Sequence, residues 1–306
     1  MRNHSSLEVN HLIVTIAQEG SFSRAARKLH VDQTSITRKV LLLEKSLGTM
    51  LFSRTTRRME LTAAGKLYVR ESSISLNHAE RAWDLARYQA LIEHGPFRIG
   101  YSPYTHSSFL PVLESFKPSA RMPDETSGTY LESAYTLNLV SRVLRGELHA
   151  AIGIAPIMDA DLWVKSVGRD GHSVGLPKNH RLAVKPMVTV PDLDGEVIYW
   201  MPKSMHPDFY KDLATYIDNL GVKPIFREVG NVVHAMEFTA RGYGLALLPR
   251  STTRLSRTGT VIKPLSDRYL CIENLLFMRR DQRYDELKEI VDDLLVRLLE
   301  LKVNIG

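Results

Sequence analysis

Cysteine is almost absent from this chain. One thiol, Cys271, among 306 residues rules out an intrachain disulfide and a Cys-rich metal site. Long apolar runs are missing too: even VLLL at 40–43 and LALL at 245–248 fall far short of the ~18 residues of a membrane span. The opening, MRNHSSLEVNHLIVTIAQEG, has no uninterrupted apolar stretch and no small-residue cleavage site, so no signal peptide is expected. The cytoplasm is the compartment these absences point to. Chemistry-bearing motifs are lacking as well. There is no G-x-S-x-G elbow, Walker loop, H-E-x-x-H or C-x-x-C, and the 11 histidines are scattered without metal-ligand spacing. GYG at 242–244 precedes a strand-like run and reads as a turn. No catalytic residue, metal or cofactor is expected.

What is present is charge in one place. Residues 1–66 carry eleven Lys and Arg against five Asp and Glu, whereas the remaining 240 carry 29 of each, so the whole excess of +6 lies in the first fifth. A small basic module on a neutral body suggests a polyanionic partner; a solubilising basic surface is the plainer alternative. The chain is long enough for two or three domains, and its 44% hydrophobic and 24% charged residues are those of an ordinary globular protein.

Within the basic part, LEVNHLIVTIAQEG gives a first helix with Leu12, Val14, Ile16 and Ala17 inward, stopping near Gly20. Ser21 or Ser23 caps a second, SFSRAARKL, with Phe22, Ala25, Ala26 and Leu29 on its apolar side. After a His30–Val31 turn, Asp32 is positioned to cap a third helix running to about Leu47 and ending at Gly48. At about 100° per residue, Ile36, Val40, Leu43 and Leu47 form one stripe, while Thr34 and Arg38 lie opposite and Gln33 and Thr37 flank them. An amide, hydroxyls and a guanidinium near a helix N-terminus can read base edges and bind phosphates. This is the layout in which the second helix of a helix–turn–helix enters the major groove. In LFSRTTRRMELT, the anchors Phe52, Met59 and Leu61 predict a two-stranded wing whose Arg54, Thr55, Thr56, Arg57 and Arg58 reach phosphates or the minor groove. A solvated basic hairpin is the rival reading.

The run GSFSRAARKLHVDQTSITRKVLLLEKSLGTMLFSRTTRRMELTAAG resembles the N-terminal winged helix–turn–helix of the LysR-type transcriptional regulators. The resemblance implies DNA-binding roles for Ser23, Gln33, Thr34, Ser35, Thr37 and Arg38, and for Arg54 to Arg58 in the wing. It also implies double-stranded operator DNA, a small-molecule effector and RNA polymerase as partners, with assembly as a homodimer or homotetramer. Three departures stand out: Asp32 replaces the usual Ser, Asn10 the usual Leu, and Ile13 a frequent Phe.

Thr62 caps a segment ending at Gly95–Pro96, which as one helix of roughly 30 residues extends about 45 Å. Leu67, Ile74 and Tyr88 form a partial seam with Leu85 and Ile92, interrupted by Glu71, His78 and Arg81; in the family this helix pairs the dimer. Beyond Pro96, strand-like and helical runs alternate: FRIGYS, THSSFLPVLESF, TYLES, AYTLNLVSRVLRG, LHAAIGI; then VIYWM, HPDFYKDLATYIDNLG, PIFREV, NVVHAMEFTARG, YGLALLP. This predicts two α/β lobes. KSVGRDGHSVGLP and CIENLLFM are the crossing strands, and a last helix from about Asp281 to Leu301 returns to the first lobe.

The expected fold is therefore an N-terminal all-α winged helix–turn–helix at 1–62, a linker and dimerisation helix at 63–95, and a C-terminal α/β effector-binding domain at 96–306. Its two Rossmann-like lobes, similar to periplasmic solute-binding proteins, divide at about 96–166 with 273–306 and about 167–272. His149 stands where the family usually carries Asp. Ligands in such folds sit at strand C-termini and helix N-termini, which selects Ser102, Tyr104, Thr105, Ser133, Thr136, Met201, Pro202 and Asn231. Ser133 and Asn231 are equally explained as helix caps. His206 and His234 read as surface or core histidines, with cleft lining as the alternative, and Cys271 as a packed strand residue. A solute-binding module or enzyme retaining a helix–turn–helix head, and a constitutive architectural DNA binder, stay open beside a regulator.

Overall fold

The computed structural model describes residues 6–54, 59–118, 128–267, 269–280 and 284–303. The chain divides into two units, Met1–Ala86 and Arg87–Gly306.

In the first unit the Ser6 side chain accepts the Val9 N–H and opens α1 (Leu7–Glu19), which ends where Gly20 turns left-handed at φ 58°. The Ser21 side chain accepts the Arg24 N–H at the start of α2 (Phe22–Lys28). Ser23 therefore lies inside that helix and does not cap it. Helix α3 (Gln33–Leu47) closes on left-handed Gly48; Asp32 occupies its N-cap with extended backbone but makes no side-chain capping bond. Leu12, Ile13, Ile16, Ala25, Ala26, Ile36, Val40, Leu43, Leu51 and Phe52 form one core, each large side chain contributing about 1.5–3 kcal/mol.

Two residues depart from the expected pattern. Ala17 is only half-buried, and Leu47, expected to complete the α3 stripe, is 44% exposed. The reason for the second is where the chain goes after Gly48. It folds back over the Glu44 side of the helix, and the buried Glu44 carboxylate accepts the Leu51 and Phe52 N–H groups at 2.7 and 3.1 Å. Asn10, unusual for its position, is buried and accepts the Tyr68 hydroxyl at 2.9 Å.

Strands β1 (Phe52–Arg54) and β2 (Met59–Leu61) pair antiparallel as the base of the wing; the positions of Thr55, Thr56, Arg57 and Arg58 lie outside the described residues. The Thr62 hydroxyl donates to the Met50 carbonyl at 2.7 Å and accepts the Gly65 N–H at 2.9 Å, opening the long α4 (Ala63–His94). A Cβ at Gly65 would run into the Leu51 carbonyl, so only glycine allows α4 to sit against the base of the wing. Along α4 the side chains of Leu67, Ile74 and Trp83 are exposed; those of Tyr88 and Ile92 lie outside the described residues.

The second unit holds two five-stranded sheets. In the first, β3 (Phe97–Tyr101) lies between β4 (Thr129–Ser133) and β5 (Ala150–Ile154), all parallel. Across β5 runs antiparallel β12 (Ile272–Arg279), then β6 (Leu162–Asp170) at the edge. Alternation along these strands sends Phe97, Ile99, Ile152, Leu276 and Met278 into one core, which is shared with α5 (Phe109–Ser115) and α9 (Tyr284–Glu300). Ala151 and Phe277 face the other way, onto Leu139 and Val143 of α6 (Thr136–Leu144). His149 is buried; its Nδ1 accepts the Arg98 N–H at 2.9 Å, an acceptor's task that a carboxylate at this position could also serve.

The second sheet has the order β11 (Thr260–Pro264), β7 (His172–Pro177), β10 (Leu245–Pro249), β8 (Val197–Trp200), β9 (Ile225–Glu228). Helix α7 (Pro207–Asn219) packs Phe209, Leu213 and Ile217 on one face, and α8 (Val232–Ala240) packs Met236 on the other. The stretch KSVGRDGHSVGLP is not one crossing strand. β6 belongs to the first lobe and β7 to the second, and the chain changes lobe at Gly171. It returns after β11, and Cys271 sits just before β12, half-buried, not within the strand. The start of the last helix at Asp281 lies outside the described residues, and α9 is described from Tyr284. At the start of α7, buried His206 binds the Ile154 carbonyl through Nε2 at 3.0 Å and accepts the Phe209 N–H at Nδ1, so one neutral imidazole joins the lobes.

Replacing Glu44 by Ala leaves two buried amides without an acceptor and is expected to cost about 2–4 kcal/mol. Faster native-state hydrogen exchange at Leu51 and Phe52 is the check. For His206, burial pushes the imidazole below its ordinary value of 6.5, outweighing the opposing Ile154 bond and the Asp208 and Asp212 charges. The unfolded chain then binds the extra proton first, so this contribution is complete above about pH 6.5 and fades as pH falls through the lower folded value. His206→Gln, which can donate and accept in the same places, is expected to flatten the drop in melting temperature between about pH 7.5 and 5.5.

Candidate functional site

On α3 the buried stripe and the capped start determine what faces outward. Gln33, Thr34, Ser35 and Arg38 are exposed, and Thr37 is half-buried with its hydroxyl donating to the Gln33 carbonyl at 2.9 Å. Lys39 is held by Glu8 on α1, and Lys28 by Glu19 at 2.8 Å. Among the described residues neither Arg38 nor Lys45 of α3 has an ion pair, and Arg38 is the one near the helix N-terminus. Ser23 is exposed on α2, its hydroxyl 3.0 Å from that of Ser21. Arg54 ends β1 opposite Met59. Amide, hydroxyl and guanidinium are thus displayed over the first turns of one helix, with the apolar half fixed inward.

The strand ends of the two α/β lobes converge on an aromatic cluster. Tyr104 stacks on Tyr135 and meets the edge of Trp200 with centroids 5.6 Å apart, while the Tyr135 hydroxyl donates to the Gly230 carbonyl of the other lobe. Burial, reinforced by Tyr135, pushes the Tyr104 phenol up, so it stays neutral. Thr136 is buried with its hydroxyl accepting the Ile154 N–H at 3.1 Å, and Met201 is buried beside Trp200 in the same core. Pro202 is half-buried, Ser133 is exposed at the end of β4, and Asn231 accepts the His234 N–H as the cap of α8.

Ser102 and Thr105 have a different setting. They line a cavity of about 710 Å³ together with Ser107, Ser108, Ser251 and Thr252, flanked by His106 and Glu114. Its two sides are joined directly. The Ser107 N–H and hydroxyl donate to the Ser251 hydroxyl and carbonyl at 3.2 and 3.0 Å, and the Ser251 N–H donates to Asp170 at 3.1 Å. Buried Asn274, at a register shift in β12, accepts the His106 N–H at 3.0 Å. Burial lowers the His106 imidazole despite the nearby Asp170. No Lys or Arg is among the lining residues. His106, Ser107, Ser251, Thr252 and Asn274 were not singled out from sequence. The rule that ligands sit at strand C-termini reaches Ser251 and Thr252 once it is applied to LALLP.

Among the described residues no group of three or more His, Cys, Asp or Glu could hold a metal ion, and no helix is long and apolar enough to cross a membrane.

Comparison with known proteins now bears on this arrangement. The family described as bacterial regulatory helix-turn-helix protein, lysR family, matches residues 7–66, and the LysR substrate binding domain matches residues 92–289. AlsR, a transcriptional regulator of Bacillus subtilis, is 25% identical over 292 residues, 93% of this chain and 94% of its own length. ShiR of Corynebacterium glutamicum, also a transcriptional regulator, is 30% identical over 259 residues, covering 82% and 85%. In fold, the chain is similar to full-length CbnR crystallised with its target DNA, with a TM-score of 0.55 at 20% identity, covering 96% and 100%. With both domains matched in order, the chain belongs to the LysR family: it is a DNA-binding transcriptional regulator with a C-terminal substrate-binding domain.

Proposed function

We propose that this regulator reads operator sequence with the Gln33–Thr34–Arg38 face of α3, and that Ser23, Ser35, Thr37 and the wing residues Arg54 to Arg58 position it through phosphates. The observation that carries this reading is the exposed, unpaired Arg38 opposite the buried Ile36–Val40–Leu43 stripe. A guanidinium there can take a bidentate grip on guanine, and the phosphate contacts supply salt-dependent affinity. The exposed Leu67, Ile74 and Trp83 of α4 support homo-oligomeric assembly through that helix, which matches the two-fold symmetry of most operators. The compartment is the cytoplasm, where the target DNA and RNA polymerase, the proposed recipient of the signal, are found.

The effector belongs in the cavity of about 710 Å³, a volume suited to a small metabolite. Its hydroxyl lining, a histidine held neutral by burial and the absence of Lys or Arg favour an uncharged polar compound over an anion. Binding there acts on the Ser107–Ser251 contact between the lobes, which is how occupancy alters the angle between them.

Arg38→Ala is expected to cost about 1–3 kcal/mol on operator DNA and little on scrambled duplex, read by fluorescence anisotropy at fixed salt. Equal losses on both would reduce Arg38 to a phosphate contact. In a thermal-shift screen of the full-length protein, uncharged polyols and amides are expected to raise the melting temperature and carboxylates are not. Thr252→Phe, which projects a ring into the cavity, is expected to weaken every such shift; hits unaffected by it place the effector elsewhere.

A further inference from the structure

A second cavity, of about 280 Å³, lies where the chain changes lobes and shares no lining residue with the first. Its walls come from both crossings and both lobes: Ala155–Pro156 and Glu273 from the first, α7 from the second, and His172 and Tyr269–Cys271 from the crossings. Phe209, Leu213 and Leu270 give it an apolar interior, being almost wholly buried in the core beneath. Tyr216 and the exposed Tyr269 form an aromatic edge with centroids 6.1 Å apart. Asp212 is exposed on α7, and Glu273 is held only loosely, 3.9 Å from Arg169. No Lys or Arg is among the lining residues.

His172 adds a buried, neutral wall to the cavity. It is 1% exposed, and its Nδ1 lies 3.0 Å from the Leu270 carbonyl. A carbonyl only accepts, so the proton is on Nδ1 and Nε2 carries a lone pair. Burial holds the ring neutral by lowering its affinity for a second proton. Nε2 is buried and finds no partner among the described residues, a standing cost for an acceptor in a protein interior. The charged side chains of the cavity's lining are two carboxylates, Asp212 and Glu273, beside two tyrosine faces.

We propose that this cavity is a second small-molecule site, built for an organic ammonium compound with an aromatic or aliphatic body. The ammonium group meets Asp212 and Glu273 at the mouth, with the tyrosine faces adding attraction for a cation, and the apolar body lies on Phe209, Leu213 and Leu270. Because the walls belong to both lobes, an occupant here bears on the same interlobe angle as the effector cavity, from the crossing side.

The chain supplies its own reporter, since Cys271 lines the cavity, is half-buried and is the one cysteine present. Alkylation of Cys271 by iodoacetamide is measured on the full-length protein with 2-phenylethylamine, with 3-phenylpropionate as the oppositely charged analogue. The amine is expected to slow alkylation about tenfold at ten times its dissociation constant, and the carboxylate to leave the rate unchanged. Asp212→Asn, a surface change that spares the fold, combined with Glu273→Gln is expected to remove most of that protection. Three results overturn the proposal: no protection at about 10 mM amine, a level that nearly saturates even a ~1 mM site; equal protection by the carboxylate; or protection that survives the double change.

Discussion

The chain passes between the lobes of its larger unit twice, at Gly171 and again between β11 and β12, and much else follows from that constraint. The first lobe has a core of its own, while the core of the second also takes in Tyr104, Ile154 and Ile272 of the first. One is built on Phe97, Ile99 and Leu276 and the other on Trp200, Leu213 and Leu247. The inner strand ends then have no partner sheet, and polar and aromatic side chains gather there instead: Tyr104 against Trp200, Ser107 against Ser251, His206 against the Ile154 carbonyl. Cavities form on either side of these contacts, where the packing of Tyr104 and Ile154 into the second lobe's core gives out. The two crossings thus set the position of the pockets.

Sequence pattern revealed most of this architecture because the pattern is strong where burial is two-sided or one-sided without exception. FRIGY, AAIGI and LALLP alternate or run apolar as sheet interiors do, and the intervening helices keep a 3.6-residue period. The three head helices were legible from Gly20, Ser21 and Gly48 at their ends and from Ile36, Val40 and Leu43 on the α3 stripe. What stayed hidden depends on contacts distant in sequence. Glu44 looks like a solvent residue on a helical wheel; only the path of the chain after Gly48 makes it the acceptor for two amides. TVIKP, which became β11, is short and carries a lysine, so it resembles an edge strand and a loop equally. Asn274 sits among strand hydrophobics with nothing local to show that it serves the His106 loop.

The cleft was legible as a region and less so residue by residue. Hydroxyls at strand ends are common, and many are committed to backbone, as Thr136 is to Ile154 and Asn231 to His234. Ser102 and Thr105 are bound to backbone too, the first accepting the Tyr104 N–H at 3.3 Å and the second donating to the Ser102 carbonyl at 2.7 Å, yet the loop after β3 turns back on itself and leaves both on the cavity wall. Such a difference is made by backbone geometry and leaves no trace in composition.

Asn10 and Tyr68 show what a polar substitution inside a small head can do. An apolar contact at this position would tolerate sliding and rolling with little change in energy. A phenol reaching an amide oxygen at 2.9 Å is directional and weakens steeply off line. The long helix that leaves the head is therefore clocked: its azimuth about its own axis is pinned near its start, so Leu67 and Ile74 emerge on one fixed side and Trp83 on the opposite one.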